Sequence, residues 1–172
     1  MPVKFMFGAI DTNRDGKVDK SEWSKATDVV RKGVEHGLTA IHLSRQAGQV
    51  QTATLWSVNK SVPEVPSPLV VGDNVYMIKN GGIVTCVNRT AGTENYRTRL
   101  KASGPYFASP ITVNGHVIAA SGDGVVTVFK AGDDFELSAR NDLKEEIMAT
   151  PAVSDGVMYV RTASTLYAFS RL

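Results

Sequence analysis

Cysteine is nearly absent: Cys86 stands alone in 172 residues. That excludes an internal disulfide framework and a multi-cysteine metal site, while leaving the redox compartment open. Cys86 lies in Ile83-Val84-Thr85-Cys86-Val87, an apolar strand pattern with no evident neighbouring base. It therefore reads as a buried structural thiol rather than a nucleophile. No apolar run approaches the ~20 residues that a membrane-spanning helix needs. The opening residues 1–8 lack the long apolar core of a secretory signal. Net charge is only +2, and Lys and Arg are scattered without a basic run, which argues against a nucleic-acid surface. Ser121 with His116, and Ser44 with His42, read as ordinary turn and strand residues rather than nucleophile–base pairs. No Gly-rich phosphate loop leads from a strand into a helix.

The acidic residues, in contrast, are ordered. Asp11-Thr12-Asn13-Arg14-Asp15-Gly16-Lys17-Val18-Asp19-Lys20-Ser21-Glu22 has oxygen side chains at loop positions one, three, five and nine, Gly at six, an apolar residue at eight and Glu at twelve. This is the spacing of an EF-hand calcium loop. A hard cation wants six to eight oxygens, and this spacing curls them around one point. Asp11, Asn13 and Asp15 would each give a side-chain oxygen, Lys17 its backbone carbonyl, Asp19 an oxygen directly or through water, and Glu22 both carboxylate oxygens. Val3, Met6, Phe7 and Ile10 form an apolar helical face before the loop, and Trp23, Ala26, Thr27 and Val30 continue a similar face after it. Gly33 and Gly37 read as the end of the second helix. No second loop of this kind is found, so the hand reads as a structural clip rather than a switch.

Beyond it the chain repeats. Ser67-Pro68, Ser109-Pro110 and Thr150-Pro151 each open a short apolar strand, a tight Gly-containing turn and a second apolar strand, and the prolines are 42 and 41 residues apart. A period near 40 residues built of short strands predicts the blades of a β-propeller. Leu38–Leu43 and Ala53–Val58 read as the last two strands of an earlier blade, and the Pro-rich 60–68 segment as an extended crossing into the next. In the two full repeats the fourth strands are expected at Glu94–Leu100 and Phe135–Ala139, and the last repeat stops after three strands.

The expected fold is thus mainly β: a partial propeller of four-stranded antiparallel blades with a small helical EF-hand insertion at the N-terminal end. The boundaries are 1–36 for the hand and 37–172 for the partial propeller. The latter comprises a half blade at 37–62, blades at 63–104 and 105–147, and an incomplete blade at 148–172. Both ends read as incomplete, so the chain is expected to be the C-terminal part of a larger ring, with open blade edges that favour self-association.

Val87-Asn88-Arg89-Thr90-Ala91-Gly92-Thr93-Glu94-Asn95-Tyr96 resembles the signature of the pyrroloquinoline-quinone (PQQ)-type propeller repeats of the quinoprotein-dehydrogenase-like superfamily. Asn88 stands where Asp is usual, Ala91 is inserted, and Tyr96 replaces a docking tryptophan that Trp56 retains in the preceding blade. The whole chain is similar to bacterial exported propellers of this type that carry an EF-hand insertion, a group similar to the propeller lipoprotein of outer-membrane protein assembly. The resemblance implies a periplasmic or secreted location and a non-enzymatic scaffold that binds a protein or small-molecule ligand. The alternative it implies is part of a PQQ-dependent dehydrogenase whose catalytic blades lie outside this chain. Calcium is the expected cofactor. Quinone is not expected, because Cys86 is solitary where the enzymes carry adjacent cysteines, and Asp123 and Asp155 sit in turns that favour Asp for geometry.

Overall fold

The computed structural model describes residues 10–34, 37–102 and 104–170, the side chains of 29–34 excepted. Two compact units divide the chain, Met1–His36 and Gly37–Leu172.

In the first unit the acidic loop leads into helix α1, Lys20–Val34. The helix begins with a reciprocal cap: Asp19 Oδ1 accepts the N–H of Glu22 at 2.8 Å, and Glu22 Oε2 accepts the N–H of Asp19 at 3.2 Å. Asp19 and Glu22 stand three apart, the spacing of a capping box, so each satisfies a donor that the first helical turn leaves free. Gly33 lies inside α1 and does not end it, since a single interior Gly costs only about 1 kcal/mol. Of the expected apolar faces, Ile10, Ala26 and Thr27 are half-buried and Trp23 is 59% exposed. Val3, Met6, Phe7 and the Val30 side chain lie outside the described residues.

Among the described residues of the second unit thirteen strands form four antiparallel sheets. The first is the hairpin β1–β2, Leu38–Gln46 and Gln49–Val58. Strands β3 to β6 are Leu69–Val71, Asn74–Lys79, Ile83–Asn88 and Glu94–Arg99, paired in chain order. Strands β7 to β10 are Ile111–Val113, His116–Ala120, Val125–Lys130 and Leu137–Asp142, again paired in chain order. The last sheet has three strands, β11 to β13: Ala152–Ser154, Val157–Arg161 and Leu166–Ser170. The turns Asn114-Gly115 and Asp155-Gly156 place both central residues at positive φ, which matches the twist of the strands they join.

The inner strands are buried on both faces, which explains why β4 reads as an unbroken apolar run rather than an alternation. Tyr76, Ile78, Val84 and Cys86 pack against Val117, Ala119 and Phe129 of the next sheet. On the other face Val75, Met77 and Val87 pack against Leu38, Trp56 and Val58. Ile118, Ala120 and Val126 meet Val160 of the last sheet. Each of the two four-stranded sheets is thus a layer between two others, the stacking of propeller blades.

Three strand expectations need correction. The hairpin β1–β2 is longer than the Leu38–Leu43 and Ala53–Val58 pair, because a two-residue Ala47-Gly48 turn lets pairing continue through Gln46 and Gln49. Strand β6 ends at Arg99, since Leu100 turns inward and is fully buried. Strand β10 begins at Leu137 rather than Phe135. The Phe135 ring is drawn instead into an aromatic cluster, 5.4 Å from Phe129 and 5.9 Å from Tyr96 between ring centres. Among the described residues no helix is long and apolar enough to cross a membrane.

Candidate functional sites

The acidic loop is held by its own carboxylates. Asp11, largely buried, accepts the N–H of Asp15 on Oδ1 at 3.2 Å and that of Gly16 on Oδ2 at 3.0 Å. Asn13 Oδ1 accepts the N–H of Asp15 at 2.9 Å, and Asp15 Oδ1 that of Lys17 at 2.8 Å. These side-chain-to-backbone bonds fold the loop as successive Asx-type turns. Gly16, at φ +81°, supplies the left-handed step that the sixth position requires. Glu22, also buried, accepts the N–H groups of Thr12 and Asn13 on Oε1 at 2.8 and 3.1 Å, so the two ends of the loop are tied together. The N–H of Asn13 first, then those of Asp19 and Thr12 with the Thr12 hydroxyl, hold the Glu22 carboxyl below its usual range against the opposing effect of burial.

The structure thus brings Asp11, Asn13, Asp15, Lys17, Asp19 and Glu22 into one loop. All six offer hard oxygen donors, Lys17 through its carbonyl, and this donor chemistry suits a calcium-type ion. Among the described residues no group of three or more His, Cys, Asp and Glu side chains is gathered as a metal ligand set. The carboxylates are turned onto loop N–H groups instead.

A second site was not anticipated from the sequence. Between the end of β6 and the first part of β10 a cleft of about 280 Å³ is lined by Arg99, Leu100, Lys101, Phe135, Leu137 and Arg140. Leu137 is 42% exposed there. Arg99 donates to the Gly81 carbonyl and Arg140 to the Lys101 carbonyl, each at 3.3 Å. Among the described residues none of the cleft's three cations forms an ion pair. Lys101 adopts φ +53°, a conformation that costs a non-glycine residue free energy and that clusters at binding sites. Three cations over an apolar floor make a surface that attracts negative charge and can bury an apolar side chain. The only sequence signal was Arg99 and Lys101 standing in alternation before a Gly-Pro turn.

The other residues singled out from the sequence are placed as follows. Trp56 donates its indole N–H to the Arg89 carbonyl at 2.9 Å and lies over Gly92, joining the first sheet to the second. Asn88 Oδ1 caps this turn by accepting the N–H groups of Thr90 and Ala91. Cys86 is fully buried and its thiol is pushed up to about 11 by burial, which makes it a poor nucleophile at neutral pH. His116 contacts the Asn114 carbonyl, while the Ser121 hydroxyl accepts the N–H of Val125, so the two are not paired with each other. Asp123 packs against Gly104, and Asp155 is exposed at positive φ in its turn.

The family model described as outer membrane protein assembly factor BamB matches residues 41–134, more than half of the chain. The chain belongs to the BamB family. An EF-hand model matches residues 3–26. No curated protein matches significantly by sequence. Among solved structures, BamB from Moraxella catarrhalis is similar with a TM-score of 0.59 and 20% identity, over 77% of this chain and 42% of that one. The Cps50 (Swd1) β-propeller domain of Myceliophteria thermophila gives 0.57 and 12% identity, over 78% of this chain and 49% of that one. The quinohemoprotein alcohol dehydrogenase ADHIIG of Pseudomonas putida gives 0.53 and 11%, over 72% of this chain and 27% of that one. At these identities the likeness is one of fold. The chain spans less than half the length of the Moraxella BamB, and the propeller architecture of this BamB-family chain is a partial one.

Proposed function

We propose that this chain is part of a calcium-clipped, non-enzymatic propeller scaffold of the cell envelope that docks a protein partner. The cleft carries the docking reading: Arg99, Lys101 and Arg140 stand unpaired among the described residues around Leu100, Phe135 and Leu137. An acidic partner surface with an apolar side chain at its centre fits that chemistry. Membership of a family described as an outer membrane protein assembly factor supports both an envelope location and a protein partner. A photo-crosslinking residue in place of Leu137 is expected to give one discrete protein adduct in the envelope. Arg99→Glu with Arg140→Glu should abolish it, and an adduct indifferent to both reversals would refute the docking site.

The calcium reading rests on the loop. Asp11, Asn13, Asp15, the Lys17 carbonyl, Asp19 and Glu22 would hold the ion, and the ion would supply the charge that four carboxylates in one loop call for. On this reading loss of calcium loosens the 1–36 hand more than the blades. Calorimetric titration should show binding to the wild type that Asp11→Ala and Glu22→Gln weaken strongly. Equal binding by all three would refute the assignment.

The alternative, part of a PQQ-dependent dehydrogenase, draws on the fold likeness to the alcohol dehydrogenase. Within this chain it has little support, because Cys86 is single and buried and Asp155 serves its turn. An absorbance titration of the full-length protein with the quinone tests it; saturable binding would favour the dehydrogenase.

A further inference from the structure

The Glu22 carboxylate is engaged by its own loop at both oxygens. Oε1 accepts the Thr12 N–H at 2.8 Å, the Thr12 hydroxyl at 3.0 Å and the Asn13 N–H at 3.1 Å. Oε2 accepts the Asp19 N–H at 3.2 Å. A carboxylate oxygen has about two lone pairs, so three donors saturate Oε1. A closing Glu of this loop type, however, must turn both oxygens to the ion. Glu22 also caps the helix by its reciprocal bond with Asp19. The residue that would complete a cation's coordination is the same one that ties the two ends of the loop together.

We infer that Glu22 and Thr12 form an internal latch, in which the Thr12 hydroxyl competes with the cation for Glu22 Oε1. The inference rests on the calcium reading above. It makes the hand a pre-closed clip, in which binding exchanges a hydrogen bond for a metal bond. The backbone donors belong to every residue type, so the hydroxyl is the part of the latch that sequence selects. Thr12 is exposed.

Thr12→Val keeps the β-branched shape and its backbone preference but removes the donor. In the free state it loses one hydrogen bond to a carboxylate, and in the bound state it loses none. Calcium should therefore bind to it about fivefold more tightly than to the wild type, by calorimetry on the full chain. Thr12→Ser keeps the hydroxyl and should retain wild-type affinity. In EDTA, the amide protons of Thr12, Asn13 and Asp19 should exchange slowly in the wild type and in Thr12→Ser. In Thr12→Val the amides of residue 12 and Asn13 should exchange faster. Wild-type calcium binding with equal or weaker binding by Thr12→Val would overturn the latch and leave the calcium reading intact. No calcium binding by the wild type or either variant would overturn both.

Discussion

The backbone N–H of Ser67 donates to the hydroxyl oxygen of Ser109 at 2.9 Å, one full repeat away. The N–H of Ser109 in turn donates to the Thr150 hydroxyl at 3.0 Å. The hydroxyl-Pro repeat is thus a ladder in which each sheet accepts a hydrogen bond from the one before it. This explains why the residues ahead of Pro110 and Pro151 carry a hydroxyl while Ser and Thr interchange. Ser109→Ala should lower stability by about 0.5–1 kcal/mol, the low end for a lost hydrogen bond, because water can reach the exposed Ser67 donor. Ser109→Thr should be close to neutral. Urea midpoints at unchanged slope would measure both.

Gly92 lies beneath the Trp56 indole, at φ +69°, and a Cβ there would fall 2.5 Å from Trp56 Cγ. Gly92→Ala must move the indole or the turn, breaking the bond from Trp56 Nε1 to the Arg89 carbonyl. A cost of about 2 kcal/mol or more is expected from the combined backbone and steric conflict. Trp56 fluorescence should shift to the red and become more accessible to acrylamide. An unshifted spectrum with wild-type stability would show that this contact does not hold the two sheets together.

Local chemistry carried most of what the sequence disclosed. The Gly turns and apolar pairs of β4 and β8 announce hairpins because both strands lie within a dozen residues. The acidic loop is legible because its ligand types recur at fixed positions. Phe135 was misplaced in a strand because the rings that claim it, Phe129 and Tyr96, belong to two different sheets. The cleft was illegible for the same reason: Arg99 ends β6 with Lys101 just beyond it, and Arg140 lies within β10 of the next sheet, so they are neighbours only after the sheets stack. The capping box was hidden in plain view, since Asp19 and Glu22 already had a role as prospective ligands.

Tyr96 occupies on β6 the docking place that Trp56 fills on β2. The exchange leaves a defect, for its hydroxyl is buried without a hydrogen-bond partner among the described residues, whereas the Trp56 N–H reaches Arg89. Burial pushes the phenol far above its usual range. An orphaned buried hydroxyl costs about 1–3 kcal/mol of desolvation. Tyr96→Phe keeps the edge-to-face contact with Phe135 and removes the orphan, so it should raise stability by about 1 kcal/mol in urea unfolding. A loss of stability would mean that the hydroxyl is solvated by an internal water.

Glu145 clasps the last sheet to the one before it. Its carboxylate accepts the Thr162 hydroxyl at 2.6 Å, the Ser164 N–H at 3.1 Å and the Ser164 hydroxyl at 2.8 Å. The Thr162 hydroxyl first, then the Ser164 N–H, hold the carboxyl below its ordinary value. A carboxylate depressed in the folded state contributes stability that is fully present above its unfolded value. That contribution fades as pH falls through the lower folded value. Wild type should therefore exceed Glu145→Gln in urea stability by a constant margin at neutral pH. The margin should shrink only below the ordinary glutamate range, near pH 4.3. Amide exchange in β12 and β13 should quicken over the same acid window, since those strands hang on the clasp at the turn between them. No margin at any pH would show that Glu145 acts through shape alone, because Gln preserves the shape and loses the charge.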